Sequence, residues 1–216
     1  MNAHRCSFCR KLSYVGKAAL DPVFDKAIWE DDDFVLMPTV GALVPGYLLL
    51  LPRRHYSSLG NLPDGLLRKA AALKDGIRRL LTAQFTAPVF FEHGDAGGTG
   101  KSGSSVTHAH LHCVPTDVDI TSALRQENTF ARIQSITDLA GPAAAKRGYI
   151  YYESQIQEQY LLCNADVPSQ YVRRVLACGL SVPGRWDWRA FPMEENVAAT
   201  RVALMGADLG SLKLRN

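Results

Sequence analysis

From His108 to Val114 the chain alternates histidine with apolar residues: His108, Ala109, His110, Leu111, His112, Cys113, Val114. A period of two marks a β-strand, whose successive side chains point to opposite faces of a sheet. The three imidazoles then share one face, while Ala109, Leu111, Cys113 and Val114 mostly supply the buried side. Such a strand needs neighbours along both edges and a covering layer beneath. Two blander accounts compete with a catalytic one: a solvated polar face, and a metal held by the histidines alone.

The surrounding pattern supplies the neighbours. Phe34 to Val40 reads as a strand, Gly41 to Gly46 as a turn around Pro45, and Tyr47 to Leu51 as the returning strand. Asp64 is a candidate N-cap for a helix whose apolar positions Leu66, Ala70, Leu73, Ile77 and Leu80 recur at spacings of four and three. Pro88 to Glu92 and Val106 to Val114 follow as strands. The order strand, strand, helix, strand, strand predicts an α+β fold with an antiparallel sheet and flanking helices. Beyond it, Ser122 to Leu139 reads as helical up to Gly141-Pro142, and Tyr149 to Glu153 with Tyr160 to Cys163 as a hairpin. Ser169 is a candidate cap for a helix to about Cys178, and a last helix follows a loop holding Trp186 and Trp188. The expected division is a domain over residues 1–120 and a C-terminal α/β extension over 121–216, packed on the same core.

A formal net charge of +3 is too mild to argue for nucleic acid. The first residues lack the continuous apolar stretch of a secretory signal, and the longest strongly apolar run, Tyr47 to Leu51, is far short of the roughly 20 residues that span a bilayer. With 5 cysteines, an odd number, the expectation is a soluble, cytoplasmic protein with free thiols and no membrane partner. Cys113, Cys163 and Cys178 read as structural.

The stretch before the histidines holds Gly94, Gly97, Gly98, Gly100 and Gly103, followed by Ser104 and Ser105. Glycines allow close backbone approach to an anion and hydroxyls donate to it. Gly100-Lys101-Ser102 mimics the end of a P-loop, but Asp95 stands where that motif needs glycine, and a strand follows where it needs a helix. Near the start, Cys6-x-x-Cys9 has the spacing of a tetrahedral zinc site, of which it makes half.

The segment Gly103-Ser104-Ser105-Val106-Thr107-His108-Ala109-His110-Leu111-His112-Cys113-Val114 resembles the signature of the histidine triad family. Gly46 to His55, an apolar strand ending in Pro52-Arg53-Arg54-His55, resembles its second landmark, and Cys6-Ser7-Phe8-Cys9 a third, found in zinc-containing members. Galactose-1-phosphate uridylyltransferases are distantly similar. The resemblance covers roughly residues 4–115, makes residues 1–120 a histidine triad domain, and implies that the antiparallel sheet has five strands.

It implies a nucleoside phosphate, phosphoramidate or dinucleotide attacked at its α-phosphorus through a covalent nucleotidyl-histidine. His110 is the nucleophile by this resemblance, with His112, His108 and Ser105 as further catalytic residues. Neutral imidazole is a competent nucleophile near neutral pH. His112, Ser105 and the amides around Gly103 and Ser104 would meet the nonbridging oxygens. The resemblance also implies a structural zinc on Cys6, Cys9, His55 and His108, and a homodimer is among the expected assemblies. Relatives usually carry a carboxylate for the ribose hydroxyls where this chain has Thr39. Glu92-His93 stands where relatives have another polar pair, making Glu92 and Thr39 candidate substrate contacts. In the extension, Gln170, Arg173, Arg174, Trp188 and Arg189 are candidate anion donors and stacking surfaces.

Hydrolase and transferase share the first half-reaction. Two other classes compete: a phosphoesterase with catalytic zinc on the histidines, and a nucleotide-binding module without turnover.

Overall fold

The computed structural model describes residues 6–13, 21, 23–95, 106–163 and 167–212. Among them are eight strands: β1 (Trp29–Glu30), β2 (Phe34–Pro38), β3 (Leu48–Pro52), β4 (Pro88–Gly94), β5 (Leu111–Pro115), β6 (Ala131–Ile133), β7 (Tyr149–Glu153) and β8 (Gln159–Cys163). They form one antiparallel sheet in the order β1-β2-β3-β5-β4-β7-β8-β6. The α+β class is as expected, and the strand count is not. The edge of β4 is taken by β7, so the last three strands extend the first sheet instead of forming a separate layer.

The flanking helices are α1 (Ser7–Leu12), α2 (Asp64–Gln84), α3 (Thr121–Glu127), α4 (Ala140–Ala144), α5 (Tyr171–Gly179) and α6 (Glu194–Leu204). Strand alternation sorts the core into two layers. Leu36, Leu50, Phe90, Leu111, Cys113 and Tyr151 face α2, whose Leu67, Ala70, Leu73, Ile77 and Leu80 cover them. Met37, Leu49, Phe91, Ile150 and Tyr152 face the other way, against Val172 and Leu176 of α5. His112 stands opposite both Leu49 and Phe91 in the ladders, so it belongs to the α5 face. Buried Glu153 pairs with Lys74 at 2.5 Å and with Arg78, which ties β7 to α2.

Several boundaries differ from expectation for physical reasons. The strand expected from Val106 starts at Leu111, because the chain at Ala109 donates its N–H to Tyr56 O (2.7 Å), outside the ladder. The helix expected over Ser122 to Leu139 ends at Glu127, and Ala131–Ile133 pairs with β8 instead. Gly141 and Pro142 lie inside the first turn of α4, where a missing N–H costs nothing. Asp64 is the first residue of α2, with Pro63 in the cap position. Likewise Gln170, in the left-handed region at φ +60°, caps α5 in place of Ser169.

The turn between β2 and β3 is braced by the extension. Gly41 N–H donates to Pro192 O (2.7 Å), Gly46 N–H to Thr200 Oγ1 (2.7 Å), and Asn196 Nδ2 to Ala42 O (2.7 Å). Gly41 has φ +73°, and a Cβ there would fall 2.5 Å from Trp188 Cβ. Only glycine lets Trp188 sit so close.

Candidate active site and metal centre

His110 occupies the last position before β5. Its Nδ1 lies 2.6 Å from the backbone oxygen of His108. A carbonyl can only accept, so Nδ1 carries the proton and Nε2 is left with its lone pair. Burial, and then the charge of Arg173, hold its pKa below the usual histidine value. The ring is therefore neutral at pH 7.

His112 stacks on Phe91 with ring centroids 4.2 Å apart, and its Nδ1 lies 2.8 Å from the Tyr47 hydroxyl. Arg173 sits over the Tyr47 ring at 5.5 Å, and a phenol is a better donor than a neutral imidazole, so the hydroxyl hydrogen is assigned to His112 Nδ1. That places the His112 proton on Nε2. Burial and the positive surroundings hold its pKa well below normal. The two imidazoles, 4.8 Å apart, thus present opposite functions: a lone pair on one and an N–H on the other.

Both line one cavity of about 120 Å³. Its walls are mostly apolar, with Phe8, Phe24, Met37, Val40, Leu49 and Val106, and its polar groups include Thr39, Gln170 and Arg173, with Trp188 beside them. Arg173 is buried, with Nε donating to Trp186 O (3.1 Å) and a terminal nitrogen to Gly41 O (2.8 Å). The cavity therefore joins β2, β3, β5 and α1 to the extension.

The expected site residues are not all brought together. His110, His112, Thr39, Gln170, Arg173 and Trp188 meet at the cavity. Gly103, Ser104 and Ser105 lie outside the described residues, as do Gly97, Gly98 and Gly100. Glu92 points to the opposite, α2 face, where Tyr149 Oη (2.6 Å) and Leu59 N–H (2.8 Å) donate to it. Burial pushes its pKa up to about 8. His93 lies on β4, and its Nε2 accepts from Val172 N–H (3.4 Å). Arg174 stacks on Trp186 and Arg189 on Trp188, both away from the cavity wall. Tyr47 is the residue sequence reasoning missed. Nothing short of the β3–β5 register places its hydroxyl beside His112.

His108 turns to a different task. Cys6, Cys9, His55 and His108 bring one ligand atom each to within 4.8 Å of one another. His108 Nδ1 lies 3.6 Å from Cys6 Sγ and 3.5 Å from Cys9 Sγ, and His55 Nδ1 lies 3.3 Å from Cys9 Sγ. Zinc bonds of about 2.3 Å to sulfur and about 2.0 Å to nitrogen, set tetrahedrally, require separations of about 3.5 Å. The group therefore fits a tetrahedral metal ion. His108 Nε2 donates to Pro52 O (2.8 Å), which fixes the ring with Nδ1 toward the cluster. Cys6 caps α1, so the short helix carries both thiols on one turn. Burial and the neighbouring Cys6 raise the Cys9 pKa to about 11, an environment that a dication reverses.

The described cysteines are all unpaired: Cys113 is a buried core thiol, Cys163 half-buried and Cys178 exposed. No helix among the described residues is long and apolar enough to cross a membrane.

An antiparallel sheet that offers two imidazoles and an arginine to one cavity, beside a closed cysteine–histidine cluster, defines a class of protein organised around histidine chemistry. The family model described as the HIT domain matches residues 23–119. Over those residues the chain is similar to the histidine triad family. It is 27% identical over 163 residues to CWF19-like protein 1 of Pongo abelii, covering 69% of this chain and 29% of that protein. The chain thus spans less than a third of that relative's length. Among solved structures it is similar to a zinc-bound histidine triad family protein from Mycobacterium smegmatis (22% identity, 67% of this chain, 94% of that one, TM-score 0.42). A uridylyltransferase is a further match (12% identity, 82% of this chain, 86% of that one, TM-score 0.41).

Proposed function

We propose that the chain is a nucleotidyl hydrolase or transferase that attacks the α-phosphorus of a nucleoside phosphate, phosphoramidate or dinucleotide through His110. The observation that carries this reading is the bond from His110 Nδ1 to His108 O, 2.6 Å long, which leaves the Nε2 lone pair for the cavity. In the first half-reaction Nε2 forms a bond to phosphorus, and the bond from phosphorus to the leaving group breaks. The leaving group departs with that electron pair and takes a proton, a role assigned to the Ser105 hydroxyl. In the second, water or an acceptor hydroxyl attacks phosphorus and gives up its proton, and the N–P electron pair returns to Nε2.

The Nδ1–H bond to the His108 carbonyl disperses the positive charge that the ring acquires in between. The Nε2–H of His112 meets a nonbridging oxygen, and Arg173 supplies positive charge from behind Tyr47. Cys6, Cys9, His55 and His108 would hold a structural zinc ion. Four protein donors close its coordination shell, so its contribution is to fix the His108 carbonyl that orients His110. Unpaired thiols suit a reducing compartment, and the cytoplasm is the proposed location.

The test is intact-mass spectrometry of protein mixed with nucleoside phosphoramidates and dinucleotides. A nucleotidyl adduct on His110 is expected, and its absence during continuing turnover would overturn the nucleophile.

A further inference from the structure

Gln170 is only 4% exposed, lines the same cavity as His110 and His112, and its side-chain oxygen is sealed from solvent without a hydrogen-bond partner. A buried acceptor left unmade is costly, so a partner for it is to be sought in what the cavity binds. The backbone at this position is costly too. Gln170 adopts φ +60°, a region glutamine seldom visits, and thereby begins α5. Val172 is bonded to His93, and Arg173 lies over Tyr47, so this end of α5 is pinned at the histidine end of the cavity.

The second polar wall is Thr39, whose hydroxyl hydrogen is committed to Val40 O at 3.1 Å. What Thr39 offers a ligand is therefore a lone pair. No carboxylate lines the cavity among the described residues. Two neutral acceptors in an apolar surround suit two neutral donors, and a pair of sugar hydroxyls next to the attacked phosphate has that chemistry. A charged amine would be poorly served there, with Arg173 nearby.

We propose that Gln170, from the C-terminal extension, accepts a hydrogen bond from a sugar hydroxyl of the bound nucleotide, and so makes the site select ribose over deoxyribose. This rests on the nucleotidyl reading above. Sites built to bond a hydroxyl discriminate strongly against the analogue that lacks it, because the protein acceptor is then stranded.

The experiment compares wild type with Gln170→Leu and, should leucine fold poorly, Gln170→Met. Two readouts are taken: kcat/KM on matched p-nitrophenyl esters of adenosine, 2′-deoxyadenosine, 3′-deoxyadenosine and inosine 5′-monophosphate, and calorimetric binding of the corresponding free monophosphates. Wild type should favour the ribonucleotide over one of the deoxy forms by about tenfold or more, the scale of one buried hydrogen bond. Both variants should lose that preference, the loss falling more heavily on the ribonucleotide than on the deoxy compound. Unchanged ribose preference in the variants overturns the proposal and leaves the nucleotidyl reading standing. A changed preference between adenosine and inosine esters, with the sugar preference intact, overturns it in favour of a base contact. If binding shows the ribose preference and its loss while no ester turns over, the nucleotidyl reading fails and the role of Gln170 survives. If wild type binds none of the monophosphates, both fall.

Discussion

His110 is hung from His108: the side chain of one donates to the backbone oxygen of the other, only two residues earlier, at 2.6 Å. His108 in turn faces two thiols and His55, so the orientation of the reactive ring is set by a cluster that never enters the cavity.

Replacing His110 with alanine should abolish turnover and the covalent adduct, with circular dichroism and melting temperature close to wild type. His112→Ala should cost less, about 10² to 10³ in kcat, the scale of one lost charge-stabilising donor. Steady-state kinetics on both variants decides the order. Equal losses would place the two histidines in one indivisible role.

Elemental analysis should find about one zinc per chain, and Cys9→Ser should lower both zinc content and melting temperature. Zinc sites contribute on the order of 10 kcal/mol in small peptides, and part of that is expected in a domain with its own core. Activity should fall with the metal, because the His108 carbonyl loses its anchor. Metal-free protein of unchanged stability and activity would detach the cluster from the site.

Gly41→Ala should destabilise the protein by roughly 2 kcal/mol or more, combining a left-handed backbone with a contact that alanine cannot make. The Cβ would fall 2.5 Å from Trp188 Cβ, so Trp188 and the cavity wall must move with it. Urea titration measures the loss. A neutral result would mean that the loop holding Trp188 yields freely.

Glu92 predicts a pH dependence. Its carboxyl is raised to about 8 by burial, so the folded protein keeps a proton that the unfolded chain releases above its ordinary carboxylate pKa of 4.5. The stability this proton confers is fully present below pH 4.5 and is lost as pH rises toward 8. Glu92→Gln does not titrate. Wild type should therefore lose at least about 1 kcal/mol relative to the variant between pH 5 and pH 8, the worth of one pKa unit. A constant difference across that range would show that Glu92 is ionised in the fold.

Local pattern made the α2 stripe and the strands Phe34–Pro38, Leu48–Pro52 and Tyr149–Glu153 legible in advance, because each is marked by a helical stripe or a short continuous run of apolar side chains. The same logic misplaced the start of β5. Alternation from His108 looks like a strand, yet the His108–His110 backbone serves a side chain and a loop instead of a ladder. Long-range pairing was illegible. Nothing local says that Ala131–Ile133 is a strand, since only β8 makes it one. Within the site, Cys6, Cys9, His55 and His108 were nameable through the resemblance, whereas Tyr47 needed the register that puts Leu49 opposite His112. Glu92 was misdirected by a one-residue difference in phase, which sends a strand side chain to the other face.

The bracing of the β2–β3 turn has a consequence for the order in which the molecule is made. Gly46 is bonded to Thr200 and Ala42 to Asn196, each pair 154 positions apart. During synthesis the histidines emerge long before the segment that fastens the turn beside them. The cavity walls supplied by Gln170, Arg173 and Trp188 therefore come after the histidines, and a growing polypeptide carries its imidazoles before those walls exist. Contacts of such sequence separation close slowly.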